Sequence, residues 1–216
     1  MRKVRTAVLI SGRGSNLAAL IAAAEAPDYP AELVLVLSNT PDAGGLELAR
    51  TAGVAVEAVD HRPFKGDRSA HEAALDAKLR AADVELIALA GYMRVLTPGF
   101  VQAWTGRMIN IHPSLLPHFP GLHTHARALE AGHERAGCTV HWVSEGVDEG
   151  EAIGQAEVPV LPGDTPDTLA ARVLKAEHML YPQCLAKAAE AVRNPSPLAG
   201  EGDYFAPPSG KPFDRR

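Results

Sequence analysis

An asparagine and a histidine stand two residues apart, just before a segment rich in proline. Asn110 and His112 close a short apolar run, and Pro113, Pro117 and Pro120 follow. Residues two apart in an extended segment point to the same side, so the amide and the imidazole converge. Such a pair can polarise a carbonyl, hold an oxyanion and transfer a proton. A turn-forming asparagine and a packed histidine are the alternatives, and the position beside a rigid loop favours chemistry.

An acidic segment further along the chain offers a carboxylate for that histidine. It comprises Ser144, Glu145, Gly146, Val147 and Asp148, followed by Glu149, Gly150 and Glu151. A segment this acidic is by default a solvated turn. If Asp148 lies beside His112, its carboxylate favours the charged imidazolium form. The three glutamates are interpreted as surface charges.

A glycine turn between the first apolar run and the first helical stretch is the second candidate site. Its sequence is Ser11-Gly12-Arg13-Gly14-Ser15-Asn16. Free N–H groups at a helix start attract anions, and glycine lets the backbone approach a phosphate. The third glycine of a dinucleotide fingerprint and the Gly-Lys-Ser/Thr of a P-loop are both missing. The turn therefore favours a monophosphate, and a plain turn capped by Ser15 or Asn16 is the alternative.

Residues 93–96, which we call the ribbon, follow the most apolar predicted strand. The ribbon combines Met93, Arg94, Val95 and Leu96. An exposed ribbon of this composition suits a flat heteroaromatic ligand whose edge is bound by backbone groups. A loop that packs on the core is the alternative. Arg68, at the start of a predicted helix, can meet an anion, although a surface position is the simpler interpretation.

Several histidines raise the alternative of a metal site. His118, His123 and His125 follow His112, and His123-Thr124-His125 can supply two zinc ligands. No cysteine pair or His-Glu-x-x-His motif accompanies them, and both cysteines lie elsewhere. We therefore expect no metal.

Short apolar runs alternate with longer amphipathic ones along most of the chain. Strands are predicted at residues 6–10, 32–37, 54–59, 86–90, 108–111, 139–144 and 156–161. Helices are predicted at 16–26, 44–52, 68–82, 126–131 and 166–185, with Thr124 and Thr165 as caps. This alternation is typical of βαβ units. The predicted fold is α/β: a Rossmann-like open, mostly parallel twisted sheet with helices on both faces.

Length and composition limit the class of protein further. The chain has 216 residues, and about 150 residues per domain allows one or two domains. Without an internal linker, we expect one domain over residues 1–192 and a Pro/Gly-rich tail over 193–216. A net charge of −5 argues against a nucleic-acid-binding domain. Two cysteines and no long apolar run predict a cytoplasmic protein without disulfides or a membrane partner. The oligomeric state does not follow from the sequence, and a monomer or a homodimer is expected.

Several segments together form a combination that is typical of one enzyme family. They are residues 8–17, 90–94, 110–117 (Asn-Ile-His-Pro-Ser-Leu-Leu-Pro), 120–125 and 176–182. Over residues 4–183 the chain resembles the phosphoribosylglycinamide formyltransferase family of purine biosynthesis. The segment 110–117 marks folate-dependent formyltransferases in general, whereas the glycine turn and Ala176-Glu177-His178 point to the glycinamide ribonucleotide branch.

The resemblance implies a reaction and a role for each matching residue. A formyl group would pass directly from 10-formyltetrahydrofolate to the amine of phosphoribosylglycinamide, on the route to IMP, without a metal. Asn110 and His112 would hold the formyl oxygen, with His112 as general acid supported by Asp148. The phosphoribosyl part would contact Gly14, Ser15, Asn16, Leu174, Lys175, Ala176 and Glu177. The folate would contact Arg68, Met93, Arg94, Val95, Leu96, Asn110, Ser144, Glu145, Gly146, Val147 and Asp148.

One departure and three rival functions accompany this resemblance. Glu151 stands where the family often has proline, which predicts a more negative and less rigid folate loop. A formyltetrahydrofolate deformylase would use the same side chains with water but carries an added N-terminal domain. A methionyl-tRNA formyltransferase would need an added RNA-binding domain. A silent phosphate- or nucleotide-binding module is the non-enzymatic alternative, against which the intact Asn110, His112 and Asp148 argue.

Overall fold

Aliphatic runs form the strands of a single sheet in the computed structural model, which describes residues 2–195. Its strands are β1 Val4–Ile10, β2 Ala31–Ser38, β3 Val56–Ala58, β4 Leu86–Leu89, β5 Met108–His112, β6 Arg135–Trp142 and β7 Ala152–Pro159. The helices are α1 Ser15–Ala24, α2 Gly44–Thr51, α3 Arg68–Ala81, α4 Pro98–Ala103, α5 Thr124–Glu130 and α6 Pro166–Arg193, with a 3-10 turn at Arg62–Phe64. Within the described residues, no helix has the length and apolar character that a membrane crossing requires.

The strand order confirms the predicted fold class. The strands lie in the order β3-β2-β1-β4-β5-β6-β7. The pairs from β3 to β5 are parallel, and β6 and β7 add two antiparallel pairs. The order reverses between β1 and β4, and ligands of such sheets bind at the carboxyl ends beside that reversal. The glycine turn after β1 and the ribbon after β4 both begin there.

Two apolar layers, one on each face of the sheet, decide which side chains of β5 remain for chemistry. Ile109 and Ile111 are buried in the layer formed with α1, α2 and α6. Met108 is buried in the opposite layer, formed with α3 and α4. Because side chains alternate along a strand, Asn110 and His112 share the face of Met108. They lie beyond it, toward the carboxyl end of β5.

Helix α5 begins differently from the prediction. Thr124 is not its cap but its first residue, and it is buried. The cap position is taken by His123, whose φ of 58° is left-handed and whose side chain makes no capping hydrogen bond. The chain enters this helix from a loop whose shape is set by tertiary contacts, so the local Thr signal is wrong here.

Other predicted boundaries move because pairing and packing extend the elements. Strand β6 begins four residues early, at Arg135, where Ala136 and Gly137 weaken the strand pattern. A Cβ on Gly137 would lie 2.0 Å from the Ala156 carbonyl oxygen, so close strand contact requires glycine. Helix α6 continues past Leu185 to Arg193 through good helix formers. The predicted tail beyond residue 195 lies outside the described residues.

The hydroxyl of Tyr181 joins α6 to the centre of the sheet. This fully buried group donates to the Leu89 carbonyl over 2.8 Å. We expect Tyr181→Phe to lower the free energy of unfolding by about 1–2 kcal/mol, because a fully buried hydrogen bond is lost. Urea unfolding measures the change.

Tyr29→Phe is the matched control, because its hydroxyl also donates to a carbonyl, that of Pro182, but in a half-buried position that water can reach. We expect Tyr29→Phe to lower the free energy of unfolding by less than Tyr181→Phe does. Equal losses for the two variants would contradict a special role for the buried bond.

Candidate functional site

The carboxylate of Asp148 gathers the polar side chains at the end of β5. Its Oδ2 lies 3.1 Å from Nδ1 of His112, and its Oδ1 accepts from the Asn110 amide over 3.5 Å. The amide N–H of Gly121 donates to Oδ2 over 2.9 Å. The side chains of His112 and Asp148 are only 6% and 11% exposed. The structure therefore brings together the three residues that the sequence singled out for catalysis.

The other ring nitrogen of His112 faces the loop that follows β5. Nε2 lies 3.0 Å from the Phe119 carbonyl oxygen. A carbonyl can only accept, so this contact places a proton on Nε2. The same carbonyl also accepts from the Ser114 hydroxyl over 3.2 Å. The Ser114 hydroxyl has one hydrogen, however, and its shorter contact is to the His118 carbonyl, at 2.6 Å.

His141 completes this cluster, and the sequence argument gave it no role in the site. Strand pairing places His141 directly opposite Asn110. Its Nε2 lies 3.3 Å from the Asn110 amide nitrogen and 3.6 Å from Oδ1 of Asp148. The predicted strand at residues 139–144 contains His141, but the antiparallel register that sets it opposite Asn110 did not follow from the sequence.

Several opposing effects act on the Asp148 carboxylate. Burial works to raise its pKa, whereas the contact with His141 and the Gly121 N–H work to lower it, as do the charges of both histidines. The net effect is a pKa below the ordinary value. Asp148 is consequently a stable negative charge beside His112.

The glycine turn is shaped by a close approach between two helix starts. Gly14 has a φ of +79°, and a Cβ there would lie 2.8 Å from the Cα of Gly45, at the start of α2. The Gly45 N–H donates to the Gly12 carbonyl over 3.1 Å. This packing opens α1 at Ser15 with free N–H groups at the carboxyl end of β1. The geometry is that of an anion site at a helix N-terminus.

The side chain of Asn16 is directed at a carboxylate on α6. Its amide donates to Oε2 of Glu177 over 2.6 Å, and both residues are buried. Burial raises the pKa of Glu177, which the Asn16 hydrogen bond partly opposes. The side-chain oxygen of Asn16 is buried and has no partner among the described residues. A phosphate at the turn would therefore be held by the backbone N–H of Asn16, and its side chain serves the region near Glu177.

The remaining predicted residues of α6 are not all near that carboxylate. Leu174 and Ala176 are half-buried, whereas Lys175 is exposed. Two residues along a helix turn the side chain by about 200°, so Lys175 and Glu177 point to different faces. The structure brings Glu177 to the glycine turn and leaves the Lys175 side chain outside this group.

The ribbon alternates between inward and outward residues. Met93 and Val95 are 70% and 60% exposed. Leu96 packs against the α3 and α4 layer, and Arg94 is half-buried. Arg68, the first residue of α3, donates to the Val95 carbonyl over 3.3 Å. Arg68 thus reaches the ribbon, whose outer face is apolar.

The acidic segment 144–151 folds back from β6 and is closed at its base. The Trp142 N–H donates to the Glu151 carbonyl over 2.9 Å. Glu145 accepts from Gln102 on α4 over 2.7 Å, and the Ser144 hydroxyl donates to the Gly146 carbonyl over 3.5 Å. Val147 is 54% exposed beside Asp148. The segment presents one apolar side chain and the catalytic carboxylate candidate together.

His118 and His123, two of the candidate zinc ligands, lie in the loop after β5, and His125 lies in the first turn of α5. Across residues 2–195, no three or more His, Cys, Asp or Glu side chains lie close enough to hold a metal ion. His118 and His133 instead make an edge-to-face contact, with ring centres 5.4 Å apart.

These features define a class of protein: an α/β protein with an anion site after β1 and an Asn–His–Asp cluster after β5. The chain matches the family described as "Formyl transferase" over residues 4–185, and it belongs to that family. A phosphoribosylglycinamide formyltransferase from Escherichia coli is 46% identical over 81% of this chain and 82% of its own length. The crystal structure of a phosphoribosylglycinamide formyltransferase from Brucella melitensis is 55% identical, with a TM-score of 0.83 over 87% of this chain and 96% of that one.

Some relatives are much longer proteins. A trifunctional purine biosynthetic protein from Drosophila melanogaster is 52% identical over 86% of this chain. The chain spans only 14% of that relative's length. The similarity to the longer relatives therefore concerns one portion of each.

The lowered pKa of Asp148 predicts a pH-dependent contribution to stability. A carboxyl whose folded pKa lies below its unfolded value of about 4 stabilises the fold above that value and loses this effect as the pH falls. We expect the stability gap between the wild type and Asp148→Asn to narrow from pH 6 to pH 3.5 in urea unfolding.

Glu149→Gln is the control, because Glu149 is exposed in the same segment. The difference in free energy of unfolding between the wild type and Glu149→Gln should be small at both pH values. A gap for Asp148→Asn that stayed constant or widened in acid would contradict the lowered pKa.

Proposed function

We propose that this protein transfers the formyl group of 10-formyltetrahydrofolate to the amine of phosphoribosylglycinamide, as a step of purine (IMP) synthesis. The observation that carries the proposal is the Asn110–His112–Asp148 cluster on the same sheet edge as the glycine turn. The names of the Escherichia coli and Brucella melitensis relatives support the same substrate.

The cluster supports direct attack of the amine on the formyl carbon. As the new C–N bond forms, negative charge develops on the formyl oxygen, where Asn110 and His112 donate hydrogen bonds. The Asn110 amide has two hydrogens, and its neighbours in the structure are Oδ1 of Asp148 and Nε2 of His141, so one hydrogen turns from His141 to the formyl oxygen when the substrates bind. The attacking nitrogen loses one proton, and the intermediate then collapses: the bond to N10 of the folate breaks, N10 takes up one proton, and tetrahydrofolate leaves.

His112 acts as general acid through its Nε2 proton. In the structure this proton is directed at the Phe119 carbonyl. When substrates bind, the proton is directed to the formyl oxygen instead. Asp148 stabilises the positive charge on the ring, because its carboxylate is held ionised 3.1 Å from Nδ1.

The two substrates occupy opposite sides of this cluster. The phosphate binds the backbone of Gly14, Ser15 and Asn16. The ribose lies toward Glu177, on the side of α6 that also carries Leu174 and Ala176. Lys175 belongs to the same segment, but its side chain points away. The folate lies along the ribbon, with Arg68 and Arg94 as the cations nearest to it. Residues 144–148 close its other side.

The location and partners of the protein stay predictions from its sequence. The predicted protein is a cytoplasmic enzyme, monomeric or homodimeric, whose partners are small molecules. No metal, membrane or nucleic acid is expected among them.

The acceptor dependence of formyl-folate consumption tests the reaction. We expect loss of 10-formyltetrahydrofolate to require phosphoribosylglycinamide and to yield one formylated product per folate released. Absorbance of the folate and mass spectrometry of the nucleotide measure both. Equal consumption with and without the nucleotide would indicate the hydrolase instead. Binding of the nucleotide without any turnover would indicate the silent module.

Removal of the imidazole tests the catalytic assignment. We expect His112→Ala to lower kcat by at least about 10²-fold, the low end for a general acid. The matched control is His118→Ala, whose ring contacts Phe119 and His133 rather than Asp148. A near-normal kcat for folded His112→Ala would remove His112 from the mechanism.

A further inference from the structure

Among the residues that the structure describes, the ribbon is not held in place by hydrogen bonds between main-chain groups. The ribbon and the two residues before it, 91–96 in all, lie between β4 and α4. Within the described part of the chain, their N–H and C=O groups make no hydrogen bond to another main-chain group. A segment of this kind leaves its backbone free to bind a ligand, but other groups must then hold it in place.

Side chains from two other elements hold it at three points. The Ser11 hydroxyl accepts from the Met93 N–H over 2.8 Å, where the ribbon begins. Arg68 holds the Val95 carbonyl in the middle. Glu72 holds Thr97, immediately after the ribbon, and does so with both carboxylate oxygens.

Glu72 is an unusual residue for a helix that packs on the core. It is 5% exposed in α3, one turn after Arg68. Its Oε1 accepts from the Thr97 N–H over 2.9 Å, and its Oε2 accepts from the Thr97 hydroxyl. The same hydroxyl accepts from the Phe100 N–H and so caps α4. A buried carboxylate is costly unless it is fully hydrogen-bonded, and here both of its oxygens serve one residue.

We infer that Glu72 is a positioning residue for the formyl donor, acting through Thr97 on the ribbon. The inference rests on the proposed function, because it takes the ribbon as the folate site. Thr97 fixes where the ribbon ends and α4 begins, and Ser11 fixes where the ribbon starts. The outward side chains of Met93 and Val95 and the free backbone groups between them then have one defined arrangement. Glu72 itself lies behind the ribbon and touches no substrate.

The helix offers a matched control one turn further on. Asp76 accepts from the Trp104 indole N–H over 2.9 Å, so it also joins α3 to the end of α4. Among residues 2–195 the Asp76 carboxylate hydrogen-bonds to Trp104 and Arg80 and to no residue of the ribbon. A variant at Asp76 therefore reports the general effect of loosening the two helices, and a variant at Glu72 adds the effect on the ribbon.

The test is equilibrium binding of a non-reactive folate analogue and of phosphoribosylglycinamide, measured separately by calorimetry. We expect Glu72→Gln and Glu72→Ala to weaken folate binding by about tenfold, the effect of losing one to two hydrogen bonds. Nucleotide binding should stay within about twofold of the wild type, and KM for the donor should rise more than kcat falls. Asp76→Ala should leave folate binding near the wild-type value.

A second pair of variants keeps the inference testable if the Glu72 variants do not fold. Thr97→Ala removes the hydroxyl and should weaken folate binding, whereas Thr97→Ser keeps it and should restore binding. The inference is overturned by unchanged folate affinity in these variants, by equal losses for both substrates, or by equal losses in Asp76→Ala. A wild-type protein that binds the nucleotide but no folate would instead overturn the proposed function.

Discussion

The buried negative charge of Asp148 is the constraint around which the site is arranged. A carboxylate that is 11% exposed must find donors or positive charge to compensate for lost water. It finds them in the Gly121 N–H, the Asn110 amide and two histidine rings. Those partners come from β5, β6 and the loop after β5, so one charge organises three parts of the chain. The arrangement keeps His112 next to a fixed anion, which is what a general acid at this position needs.

The reversal of strand order between β1 and β4 brings the two proposed binding segments to one edge of the sheet. The glycine turn follows β1 and the ribbon follows β4, and these strands are neighbours. One hydroxyl spans them, because Ser11 opens the turn and accepts from the Met93 N–H. The long helix α6, which packs in the same layer as α1, then adds Glu177 through its bond to Asn16. Sheet order thus places groups from distant parts of the sequence around one reaction.

Much of the fold and of the site could be predicted because the determining signals are local. The alternation of aliphatic runs and amphipathic stretches gave the α/β class, since the period of the apolar residues follows from backbone geometry. Asn110 and His112 were recognisable because two residues in a strand share a face. The boundaries of β6 and α6 were missed, because strand pairing and helix packing extend elements past the local pattern. Gly137 shows this plainly: it weakens the strand signal, yet its missing Cβ permits the pairing.

By itself the sequence determined which segments could bind substrates or catalyse a reaction: a glycine turn, an Asn-x-His pair, an acidic segment and an apolar ribbon. Only the tertiary structure decided which of them meet. It put His141 beside Asp148, directed the Asn16 side chain to Glu177, turned Lys175 away and set Glu72 behind the ribbon. The physical reason is that these contacts depend on strand register and helix rotation. Those are fixed by burying two apolar layers over the whole chain, and no short stretch of sequence contains that information.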